Sequence, residues 1–116
     1  MTETVDLYGF GSFFSDQGSV PRDVDLLVLH RRIDRSSINF AIQCKALIKS
    51  LIRNADVVIL SKSEEQELAF LWKCSGKLLG MVADTDPNGQ LEAIFRSPFM
   101  HSNPLRNFRA VSFLKY

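Results

Sequence analysis

The chain has 116 residues, of which 46% are hydrophobic and 23% charged, with a formal net charge of +1 at neutral pH. A chain of this mass buries about two-thirds of its extended surface, so one domain with one core is expected and disorder over most of the chain is excluded. The near-balanced charge argues against a strongly basic nucleic-acid binder, and no apolar stretch approaches the ~20 residues that span a bilayer.

The acidic, polar start, Met1-Thr2-Glu3-Thr4-Val5-Asp6, does not read as a signal peptide. Cys44 and Cys74 match neither a zinc pattern nor a disulfide framework. They read as buried, reduced thiols of a cytoplasmic protein.

In chain order, Val5 to Phe10 alternates as a short strand and ends in the glycine-punctuated turn Gly9-Phe10-Gly11-Ser12. Ser12 caps a short helix through Asp16, and Gln17 to Arg22 is loop by composition. Asp23 to His30 is a strand whose unbroken apolar run, Leu26 to Leu29, predicts burial on both faces. Two aspartates at its start break the strand preference, a conflict that needs a reason. His30 reads as a surface residue at the strand end.

Ser36-Ser37 begins a helix, with Ala41, Cys44, Ile48, Leu51 and Ile52 at three-to-four spacing. Lys45, Lys49 and Arg53 line a neighbouring, solvated stripe. Ala55 to Leu60 is a β-branched strand. Ser61 or Ser63 then caps a helix with a capping-box spacing, carrying Leu68, Leu71 and Trp72 on one side and ending near Ser75-Gly76. Leu78 to Val82 is a candidate strand, Asp84 to Gly89 a turn, and Leu91 to Phe95 a hairpin partner. The reading is an organised core over 1–76, with 77–116 as an appended segment of the same domain ending in an irregular tail. The element order predicts an α/β (α+β) architecture, a small mixed β-sheet with helices packed on it.

The residues that bear chemistry are Gly11-Ser12 and, after ten intervening positions, Asp23-Val24-Asp25. Aspartates at i and i+2 on a strand share a face and can share a metal. Magnesium takes one or two carboxylates together with phosphate oxygens. A glycine-serine turn entering a helix offers backbone N–H groups and a hydroxyl to a phosphate. Asp56 opens the strand after the long helix. If the two strands are neighbours its carboxylate joins the pair, and three carboxylates can hold two metals.

The stretch Phe10-Gly11-Ser12-x10-Asp23-Val24-Asp25-Leu26 resembles the signature of the nucleotidyltransferase (polymerase β-like) superfamily, in particular its minimal nucleotidyltransferases, small stand-alone prokaryotic proteins. Asp56 to Leu60 followed by Glu64-Glu65-Gln66-Glu67 is similar to their third-carboxylate strand and next helix. The resemblance covers residues 5–75 and implies the nucleotidyltransferase fold. It implies that Asp23 and Asp25 bind two Mg2+ ions and that Asp56 binds the catalytic metal and helps deprotonate the acceptor. By the same resemblance Gly11 and Ser12 hold the β- and γ-phosphates of ATP or another nucleoside triphosphate, and Arg22 is a phosphate contact. The chain departs from the pattern in having only ten residues before Gly11, and residues 77–116 match nothing in the superfamily.

The expected function is transfer of a nucleoside monophosphate, AMP first, to a hydroxyl of a protein or small molecule. Some minimal nucleotidyltransferases are antitoxins that modify a HEPN partner toxin, which makes a toxin or another acceptor protein the expected partner and leaves an oligomer open. Two alternatives stand beside this reading: a catalytically silent binding module or antitoxin, and an RNA-directed transferase using the aromatic, basic tail with Arg106, Arg109 and Lys115. Asp84 and Asp86 as calcium ligands, and Arg96 with His101 as a ribonuclease pair, read as coincidence.

Overall fold

The computed structural model describes residues 2–14 and 23–97. Along them run β1 (Thr4–Phe10), a 3-10 turn (Ser12–Phe14), β2 (Val24–His30), α1 (Arg35–Leu51), β3 (Ala55–Ser61), α2 (Lys62–Leu68), α3 (Phe70–Cys74), β4 (Lys77–Ala83) and α4 (Pro87–Phe95). The strands form one mixed sheet in the order β3-β2-β1-β4. β1 is antiparallel to β2 and β4, and β2 is parallel to β3. The α/β class expected from the sequence is the one observed, helices on a small mixed sheet.

β2 is an interior strand and is buried at every position except Asp25. A parallel neighbour cannot be reached by a tight turn, so the connection from β2 to β3 carries α1. Asp34 starts this helix by accepting the Ser37 backbone N–H at 2.9 Å, ahead of the Ser36-Ser37 start that composition predicts. Phe40, Ala41, Cys44, Ile48 and Leu51 form its buried face. They pack on Val5 and Leu7 of β1, Val24, Leu26 and Val28 of β2, and Ala55 and Val57 of β3. Burial pushes the Cys44 thiol up to about 12, as expected of an inert core cysteine; Cys74 is only partly buried.

The segment after residue 76 corrects the sequence reading. β4 pairs along β1, with a bulge between Leu7 and Tyr8 in the register. Leu91–Phe95 is not a hairpin partner. Asp86 accepts the Gly89 backbone N–H at 3.2 Å and Pro87 fills the first turn, so the Asp-Pro-Asn-Gly cluster starts a helix. α4 inserts Leu91 and Phe95 into the same core, which therefore extends beyond residue 76. Asp84 accepts the Glu3 backbone N–H at 2.9 Å, Asp86 is a helix cap and Arg96 is the C-cap of α4. His101 and the expected tail, 98–116, lie outside the described residues, as do residues 15–22, including Asp16 and Arg22.

The helix expected between a Ser61 or Ser63 cap and an end near Ser75-Gly76 is broken in two. Ala69 adopts a left-handed backbone, φ 49°, between α2 and α3. The Ser61 capping box with Glu64 forms as the spacing predicts. Of the apolar side Leu68, Leu71 and Trp72, Leu68 and Trp72 are exposed, Trp72 at 84%.

Strand alternation assigns the opposite face of the sheet to Tyr8 and Phe10 of β1, Asp25, Leu27 and Leu29 of β2, and Asp56 and Val58 of β3. Part of this second face is covered by α3, whose Phe70 meets Phe10 edge to face with ring centroids 5.3 Å apart.

Candidate functional site

β1 ends at Phe10, the register partner of Asp25 near the start of β2. Gly11 follows at φ +77°, and the 3-10 turn closes with the Phe14 backbone N–H donating to the Gly11 carbonyl at 3.1 Å. A Cβ at Gly11 would collide with the Asp25 carboxylate. Glycine is required here twice over, for the left-handed backbone and for the close approach.

Asp56, the second residue of β3, is the register partner of Asp25. Neighbouring strands are ~4.8 Å apart, so the two carboxylates rise side by side from one face. Backbone bonds hold this end of the sheet together. The Val24 N–H donates to the Asn54 carbonyl at 3.1 Å and the Ala55 N–H to the Ile52 carbonyl at 3.2 Å. Lys49, one of the basic stripe, donates through Nζ to the Ala55 carbonyl at 3.2 Å, which steadies the chain immediately before Asp56. Asp23 stands exposed just before β2 rather than within it.

Electrostatics tie the three aspartates together. Burial raises the Asp25 carboxyl above its ordinary value, and Asp56 and then Asp23 raise it further. Among the described residues no salt bridge reaches any of the three. A half-buried carboxylate with two anionic neighbours and, among the described residues, no cationic partner is a costly arrangement that a bound cation relieves. The donor set is hard oxygen, the chemistry that suits magnesium, calcium or manganese. Among the described residues no three His, Cys, Asp or Glu side chains are grouped closely enough to hold a metal ion by themselves. A metal here would complete its sphere with water and phosphate oxygens, as magnesium ordinarily does.

Of the sequence-predicted site residues, the fold brings Gly11, Asp25 and Asp56 together, with Asp23 within electrostatic reach. Ser12 opens the 3-10 turn beside Gly11. His30 is not the surface residue expected. It is 4% exposed at the far end of β2, where Nδ1 lies 2.9 Å from the Arg32 carbonyl and 3.0 Å from the Ser37 hydroxyl. It ties the start of α1 to the strand, remote from the aspartates. Sequence reasoning missed Phe70 and Lys49 as neighbours of the site. Phe70 depends on the Ala69 break, and Lys49 differs from its stripe only through the Ala55 carbonyl.

No family model, curated protein or solved structure matches the chain.

Proposed function

We propose that the chain is a divalent-metal-dependent nucleotidyltransferase. It moves a nucleoside monophosphate, AMP first, from a nucleoside triphosphate to a hydroxyl of a protein or small-molecule acceptor. The observation that carries this reading is the Asp25–Asp56 register pair with Gly11 packed against the Asp25 carboxylate. Asp23, Asp25 and Asp56 would hold the metal ions, and Gly11 and Ser12 would approach the phosphates by backbone. The metals would supply positive charge against the triphosphate and acidify the acceptor hydroxyl.

In the reaction, the acceptor oxygen forms a bond to the α-phosphorus while the bond from that phosphorus to the bridging oxygen breaks, and pyrophosphate leaves. Asp56, the exposed member of the register pair, is the group assigned to receive the hydroxyl proton. Gly11 keeps the approach to Asp25 free of a side chain.

A second reading is a silent binding module of antitoxin type, with a partner protein. It is favoured by the exposed apolar residues Trp72, Leu68, Leu78 and Met81. Incubation of each triphosphate, labelled at the α-phosphate, with magnesium and source lysate separates the two. A labelled product absent with the Asp23→Asn, Asp25→Asn protein supports the enzyme. Partner capture that survives the same changes, with no transfer, supports the module. No helix among the described residues is long and apolar enough to cross a membrane.

A further inference from the structure

The row of side chains across the second face at the level of the aspartates reads Asp56, Asp25, Phe10, one from each of three adjacent strands. An aromatic ring thus stands one strand spacing, ~4.8 Å of backbone, from the half-buried carboxylate. Phe70 meets that ring at an interplanar angle of 90°. In an edge-to-face pair, one ring keeps both its faces clear of the other. Phe10 and Phe70 are each only partly buried.

Two features define this corner. The Asp25 carboxylate is half-buried beside its register partner Phe10, with Gly11 packed against it. Phe70 reaches Phe10 because the helix breaks at Ala69, a non-glycine residue in the left-handed region, with the Leu71 N–H donating to the Glu65 carboxylate at 3.2 Å across the break. A ligand that joins a metal-bound anionic head to a flat heteroaromatic ring would use both features together.

We propose that the Phe10–Phe70 corner is the wall on which the base of the nucleotide stacks. The inference rests on the nucleotidyltransferase reading and adds how the substrate is chosen. Phenyl faces carry no hydrogen-bonding groups, so discrimination follows stacking area: purines are held more tightly than pyrimidines, in a graded manner.

The test is calorimetric binding to the full chain in magnesium, using inorganic triphosphate and the α,β-methylene analogues of ATP and CTP. The ATP analogue binds wild type about tenfold more tightly than triphosphate, with the CTP analogue between them. Phe70→Leu brings both analogues to the triphosphate value while leaving triphosphate binding intact, which also shows that the variant is folded. Phe70→Tyr keeps the gain. On the wild type alone, intermolecular NOEs join the adenine H2 and H8 protons to the Phe70 ring. Triphosphate binding with no gain from the base, a gain that survives Phe70→Leu, or absence of those NOEs from a bound analogue overturns the stacking wall and leaves the site standing. Failure of wild type to bind triphosphate in magnesium overturns the wall together with the reading beneath it.

Discussion

Asp25 and Asp56 are register partners on adjacent parallel strands, and among the described residues neither is paired with a cation. Burial first, then Asp56 and Asp23, raise the Asp25 carboxyl above its ordinary 3.8. The folded chain therefore holds this proton more tightly than the unfolded chain. The associated stability is complete below 3.8 and is lost as pH rises through the folded-state value. Above that value the ionised group works against folding. Asp25→Asn is expected to raise the thermal midpoint at pH 7, with the gain vanishing toward pH 3.8. Millimolar magnesium should stabilise wild type and not the variant. A variant no more stable than wild type at pH 7 contradicts the electrostatic account.

Gly11→Ala probes the other side of the same carboxylate. The left-handed backbone costs an alanine about 1–2 kcal/mol. The collision is with the tip of Asp25, which can swing aside, so little further stability is lost. The displaced carboxylate should nevertheless cost far more in magnesium-dependent triphosphate binding than in denaturant midpoint. Equal, small losses in both would mean that Gly11 serves the turn and not the site.

The aspartates were legible in the sequence because they contradict their surroundings. A charged residue in a strand otherwise buried end to end needs a reason, and the β-branched run after Asp56 is a local signal; the two-residue spacing put Asp23 on the strand, whereas it stands just before β2. The α1 core stripe was equally local. What stayed hidden depends on partners distant in sequence. Asp-Pro-Asn-Gly carries the same residues as a hairpin turn and as a capped helix start, and only the slot that accepts Leu91 and Phe95 decides between them. His30 looked exposed because Arg31 and Arg32 follow it, yet its strand ends against the start of α1. The α2–α3 break at Ala69 has no glycine or proline to announce it.

The capping box at the start of α2 makes a prediction of opposite pH sign. Ser61 accepts the Glu64 N–H at 3.1 Å, and the Glu64 carboxylate accepts the Ser61 N–H at 2.8 Å. Ser61→Ala should cost about 1 kcal/mol. The Ser61 backbone bond, then its hydroxyl, hold the Glu64 carboxyl below its ordinary 4.5. Its contribution is present above that value and lost as pH falls through the lower, folded-state one. The destabilisation by Glu64→Gln should therefore be seen at pH 7 and disappear in acid. A pH-independent difference between the two proteins would assign the effect to something other than the cap.

Two aromatic truncations test whether α4 belongs to the core. Phe95 is 1% exposed at the end of α4 and packs in the cluster that includes Val82, Leu91 and Ile48. Phe95→Ala removes a buried ring and leaves a cavity, a loss of about 3–5 kcal/mol, comparable to the whole stability of a marginal domain. Trp72 carries a larger ring but is 84% exposed, so Trp72→Ala should stay within about 0.5 kcal/mol. Urea titrations of the two variants read the contrast directly. If Phe95→Ala were the milder change, the segment after residue 76 would be an appendage on the sheet, as composition alone had it, and not a wall of the core.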